Sequence, residues 1–166
     1  MNTEALFTKM MEYYTGDPQH IQHFVKVHSF ALRIALGEGL DEKTTNVLET
    51  VAIVHDVGIK KSIEIHGHST GKLQELEGPP IAREILRQLN YPQDIVDRVC
   101  YIVAHHHTYT DIQGLDYQIL VEADFLVNMF ESNMTDEAIS NAYNNIFRTE
   151  TGKRICKTMY RGLITA

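Results

Sequence analysis

Apolar residues recur along most of the chain at three- and four-residue intervals, the period of a helix, and no period-2 alternation marks a strand. The first periodic stretch runs from about Thr3 to Tyr14, and Gly16 closes it. Asp17-Pro18 reads as an N-cap followed by proline at the first helical position. It opens a second helix over roughly Pro18 to Leu36, with Val27, Phe30, Ala31 and Ile34 on one face and Gly37 and Gly39 at its end. Asp41 caps a third, which carries Leu48, Val51, Ala52 and His55 at i, i+3, i+4 and i+7 and stops near Gly58. Lys60 to Gly78 is weakly periodic and is expected to form a long loop, a common seat of function. Pro79 and Pro80 are expected to open the next helix, and Pro92 another in which Ile95, Val99, Ile102 and His106 share a face. After a polar loop over Thr108 to Gly114, Leu115 to Phe130 is apolar enough to be a buried helix. Thr135 to Phe147 is the last long helix before a mildly basic tail, Lys153 to Arg161. The class predicted is all-α, with residues 1–166 forming a single domain.

Composition narrows the partners more than the fold. Apolar residues make up 43% of the chain and charged residues 22%, so 166 residues suffice for one globular core. The formal net charge of −7 disfavours long nucleic acid and anionic membrane as partners, while fifteen Lys and Arg still permit a local basic pocket. Cys100 and Cys156 form no CxxC pair and no disulfide framework, and Cys100 falls in an apolar helical pattern. Met1 to Met11 contains Asn2, Glu4 and Lys9 rather than an apolar run, so neither a signal peptide nor a membrane span is expected, and the expected location is cytoplasmic.

The candidate chemistry lies where polar residues interrupt apolar faces. His55-Asp56 follows Val51 to Val54 directly, so a helix end that must be buried carries two side chains in need of partners. Asp124 shares a stripe with Tyr117, Leu120, Val121 and Val127; a charge there must be neutralised, paired with a cation such as Arg, or bound to metal. Its neighbour Glu122 points elsewhere on the helix and is expected to be solvated. His23 borders the Val27/Phe30/Ala31/Ile34 stripe, with His20 one turn earlier. His105, His106 and His107 end a helix pointing about 100° apart, so at least one should face inward. Helical bundles build metal sites from inward ligands on facing helices. Two imidazoles and two carboxylates suit a divalent transition metal, Fe, Mn, Ni, Co or Zn, better than Mg or Ca, and the lack of thiolates at ligand spacing excludes cysteine-type zinc.

The order of these motifs resembles the HD-domain superfamily of metal-dependent phosphohydrolases. His23-Phe24-Val25-Lys26-Val27 is similar to that family's first motif, His55-Asp56-Val57-Gly58 to the doublet that names it, and Glu122-Ala123-Asp124 to its closing aspartate helix. The resemblance spans about residues 18 to 130, with C-terminal helices over 131–166 beyond it. It implies an HD-type helical bundle in which His23, His55, Asp56 and Asp124 hold one ion. In dinuclear branches Asp56 would bridge to a second, with His105 and His106 at the matching later helix end. An earlier family histidine falls near Glu77 here, which could be a ligand, a general base or a charge at a helix N-terminus. Where dinuclear relatives place lysine after the motif glycine, this chain has Ile59, followed by Lys60 and Lys61.

The function expected is hydrolysis of a small phosphate ester or nucleotide by metal-activated water, with Asp56 and Glu77 as catalytic residues. Lys60, Lys61, Lys72, Arg83 and His107 are the candidate substrate contacts, and His66, His68 and Tyr109 further residues for the mouth. Two alternatives stand beside it: a di-iron oxygenase on the same ligand arrangement, and a non-catalytic nucleotide-binding sensor. The basic tail is expected to pack on the domain or on a second subunit, so a homo-oligomer is among the expected states.

Overall fold

Most helix starts are set by a short polar side chain. The structure, a computed structural model, describes residues 2–164. Asn2 caps α1 (Thr3–Tyr13) by accepting from the Ala5 amide, and Asp17 caps α2 (Pro18–Glu38) by accepting from that of His20. Gly39 ends α2 at φ 69°, a left-handed conformation that favours glycine. Asp41 caps α3 (Glu42–Val54), Thr70 caps α5 (Gly71–Gln88), Thr135 caps α8 (Asp136–Ile146) and Thr149 caps α9 (Glu150–Met159) in the same way. Between them lie α4 (Gly58–His66), α6 (Gln93–Val103) and α7 (Leu115–Glu131). The described residues contain nine helices and no strand, as the apolar period predicts.

One expectation fails. Residues 60–78 are not a long loop but α4 and the first half of α5, and Pro79 and Pro80 lie inside α5 instead of opening a helix. The period was weak because α4 buries only Gly58 and Ser62. A side chain at Gly58 would run into the Gln74 carbonyl and the Gly78 amide, so α4 and α5 meet through backbone rather than through an apolar stripe.

The middle of the fold is α7. From Asp116 to Asp124 every residue is buried, because α2 and α3 cover one side and α8 and α9 the other. The helices α5 and α6 pack on each other and α6 packs on α3, bringing the end of α6 beside the end of α3. None of the described helices is long and apolar enough to cross a membrane.

Candidate metal centre

Four side chains predicted as ligands converge. His23 comes from the first half of α2, His55 from the C-terminal end of α3, Asp56 from the turn after it and Asp124 from the middle of α7. The Nε2 of His23 stands 3.1 Å from Asp124 Oδ1, 3.4 Å from His55 Nε2 and 3.4 Å from Asp56 Oδ2. The Nε2 of His55 stands 3.5 Å from Asp56 Oδ2 and 3.6 Å from Asp124 Oδ1. Ligands about 2.0–2.2 Å from a shared ion lie about 3.0–3.5 Å from one another, so these separations fit coordination.

Each ring is aimed by its other nitrogen. His55 Nδ1 donates to the Ala52 carbonyl (3.0 Å), and His106 Nδ1 to that of Val103 (2.8 Å). His23 Nδ1 meets Glu131 Oε2 at 2.8 Å, and Lys26 holds Glu131 through its other oxygen at 2.5 Å. Three imidazoles thus present Nε2 to the interior in the tautomer a metal requires. The side chain of Asn128 donates to Asp124 at 2.8 Å, fixing that carboxylate as well.

The cluster's electrostatics favour a cation. Burial would lower the pKa of His23, but hydrogen bonding to Asp124, the charge of Asp56 and the Glu131 contact raise it to about 9. Burial would raise Asp56, yet His55, His106 and His23 hold it well below the usual carboxylate range. Asp124 is held low against burial by hydrogen bonds from His23 and His55, while the Asp56 charge opposes. The carboxylates of Asp56, Asp124 and Glu131 thus favour positive charge at the point where the ligand atoms meet.

A second group shares Asp56. Its Oδ2 faces His23 and His55, and its Oδ1 lies 3.4 Å from His106 Nε2. That Nε2 is buried and, among the described residues, has no hydrogen-bond partner, an arrangement that is costly unless something else occupies it. His107 completes the group: Asp56, His106 and His107 each offer a ligand atom within 4.8 Å of the others. Burial first, then the neighbouring His106, push the pKa of His107 down to about 4, so it is neutral at physiological pH. The side chain of Gln74 holds its Nε2 at 2.7 Å. Glu75 accepts from the His107 amide (3.1 Å) and from the Thr108 hydroxyl (2.9 Å), pinning the turn after α6.

Several predicted residues do not join the cluster. His105 turns away: its ring stacks on Tyr101 at 4.5 Å and its Nδ1 donates to the Tyr101 carbonyl at 2.7 Å. His105 lies in the turn that follows α6, and these two contacts hold its ring on the Tyr101 side, while His106 and His107 turn toward Asp56. Glu77 meets His66 at 3.2 Å, and it is Glu75, half a turn earlier, that faces the histidine turn. Arg83 is paired with Asp97 at 2.7 Å on the α6 side of α5, and Lys61 with Glu64 at 3.0 Å. Lys72 is exposed. Lys60 donates to the Tyr13 carbonyl at 3.1 Å and lies near the mouth.

Asn128 and Glu131 also belong to the site. With Asp124 they stand at i, i+4 and i+7 on a mostly apolar helix, a polar stripe along one face. Gln74 and Glu75 carry no such signal, because their partners lie more than thirty residues away.

A profile of the HD domain matches residues 21–142. The chain belongs to the HD-domain family. The crystal structure of a "predicted HD superfamily hydrolase" from an uncultured Thermotogales bacterium superposes with a TM-score of 0.68 at 23% identity, over 96% of this chain and 85% of that one. At that identity the likeness establishes the fold, an all-helical HD bundle. No curated protein matches the chain. HD domains bind divalent metals, and the His/Asp groups of this HD domain have the donor types and spacing to do so.

Proposed function

We propose that this HD domain is a metal-dependent phosphohydrolase acting on a small phosphate ester, nucleotides included. The reading rests above all on the convergence of His23, His55, Asp56 and Asp124 around one point, with a cavity of about 220 Å³ opening onto it. Those four residues would hold a first ion, and Asp56, His106 and His107 a second. A divalent transition metal bound there lowers the pKa of a water molecule and polarises a phosphoryl oxygen. Asp56 offers one carboxylate oxygen to each group, which supports a shared ligand. Glu131 and Asn128 keep His23 and Asp124 aimed inward. Gln74 lines the same cavity and can donate to a substrate oxygen through its side-chain nitrogen.

Metal content per chain, measured on protein purified without chelator, combined with a phosphate-release screen across Mn, Fe, Co, Ni and Zn, tests the reading. Two ions per chain with phosphate release are expected. One ion would leave His106 and His107 to contact the substrate instead. Oxygen consumption without phosphate release would favour the di-iron oxygenase, and nucleotide binding without turnover a sensor. No metal after reconstitution would defeat the proposal.

A further inference from the structure

The metal cavity does not end at the metal ligands. His20 and Ile59 line it, and they also line a neighbouring cavity of about 250 Å³ between the α1–α2 turn and the start of α4. Together the two fall within the roughly 300–1,000 Å³ usual for small-molecule sites. One wall of the second cavity is apolar: Ile59 and Ile63 stand one turn apart on α4, and Ile63 is half exposed. The opposite wall is a rigid polar edge. The His20 ring stacks on Tyr14 at 5.0 Å with an interplanar angle of 8°, and the Tyr14 hydroxyl donates to the Asp56 carbonyl at 2.8 Å. His20 Nδ1 lies 2.5 Å from Asp17 Oδ2, so the ring holds a hydrogen there and its Nε2 is left for another partner. Among the described residues no hydrogen bond engages that Nε2.

Charge limits what can enter. Asp17, Asp56, Asp124 and Glu131 line the two cavities, and Lys60 is their one Lys or Arg among the described residues. Four of the chain's cations, Lys153, Arg154, Lys157 and Arg161, line a different and larger cavity of about 630 Å³ around α9 that shares no residue with the metal centre. A phosphate monoester dianion can be balanced by ions at the cluster. Each further phosphate of a di- or triphosphate adds negative charge among carboxylates, where the transfer of a phosphoryl group calls for cations.

Resting on the phosphohydrolase reading, we propose that the substrate is a phosphate monoester whose uncharged leaving group sits in the Ile59/Ile63 cavity, with a polar group hydrogen-bonded to His20 Nε2, and that the site discriminates against polyphosphates. In the reaction the water oxygen bonds to phosphorus, the ester P–O bond breaks, and the leaving oxygen takes up a proton, giving an alcohol and inorganic phosphate. Ile59 and Ile63 choose the leaving group, and the scarcity of cations restricts the number of phosphates.

Two measurements on the metal-loaded protein test this. Calorimetry with phenylphosphonate and methylphosphonate, which cannot be hydrolysed, should show the phenyl compound binding about tenfold tighter, a preference abolished in Ile63→Trp. Should that variant fail to melt cooperatively, Ile63→Asp reads out the same ratio. Phosphate release from phenyl phosphate should exceed release from a nucleoside triphosphate by about a hundredfold in kcat/KM. Equal binding of the two phosphonates, an unchanged ratio in the folded variant, or a triphosphate cleaved as fast as the monoester would overturn the proposal. A retained phosphonate preference with no release from any ester would instead sink the phosphohydrolase reading and leave the leaving-group cavity standing.

Discussion

Two carboxylates two residues apart on α7 are both buried, and they do opposite things. Glu122 is fully buried, and its oxygens accept from the amides of Arg148 (2.7 Å) and Thr149 (2.9 Å), the Thr149 hydroxyl (2.5 Å) and the Gln118 side chain (2.8 Å). Every partner is a donor, so the charge is satisfied by protein alone and ties α7 to the start of α9. Asp124 has one fixed donor in the Asn128 side chain, and around it gather two imidazoles turned in through Nε2 and the carboxylate of Asp56, whose charge repels it. Burial does not separate a structural carboxylate from a metal ligand. The chemistry of the neighbours does: donors close a site, whereas acceptors gathered around a point call for a cation.

Substitutions at the two sites should therefore fail in different ways. Asp56→Ala should lower phosphate release by about a thousandfold or more and reduce metal per chain, with the circular-dichroism helix signal retained. Turnover by a metal-stripped form of that variant would break the distinction. Glu122→Ala should do the reverse, lowering stability in urea by about 2–4 kcal/mol because it orphans buried donors, while the folded protein keeps its metal. Loss of metal in that variant would show the two carboxylates to be one unit. Glu131→Gln weakens the hold on His23 without removing a ligand, and metal affinity is expected to drop by about 10–100-fold in a competition titration.

A smaller effect separates the metal-free and loaded forms. The His23 pKa is raised from 6.5 to about 9 in the folded metal-free protein. Its protonation contributes stability that is fully present below 6.5 and is lost as pH rises through about 9. The metal-free protein should melt lower near pH 9.5 than near pH 7, and a bound ion, which displaces that proton, should shrink the difference. An equal change in both forms would remove His23 from the site. The smallest effect expected is at His105, where replacement by Ala should leave metal content unaltered because its ring stacks on Tyr101 outside the cluster.

Much of the fold and of the centre was legible in the residues alone. Caps at Asp17 and Asp41, the apolar period of α2, α3, α6 and α7, and the order His23, His55-Asp56, Asp124 are local or periodic features that require no knowledge of the partner. The misreadings share a cause. Glu122 was expected in solvent because α9, which covers it, buries only Thr151, Gly152 and Cys156 and has no apolar stripe to announce itself. Gly152 matters there, since a side chain at that position would collide with the Glu122 carboxylate. The 60–78 segment was expected to be a loop because α4 packs through Gly58 and Ser62.

By itself, then, the sequence determined the helical class, most helix starts and the four residues that converge, since caps and hydrophobic period act within a few residues along the chain. Only the tertiary structure decided that His106 rather than His105 faces in, that Glu75 rather than Glu77 meets the histidine turn, and that one α7 carboxylate is closed by donors while the other is left for a cation. Those choices depend on which helix lies opposite and at what rotation, a relation between distant segments that no local pattern encodes.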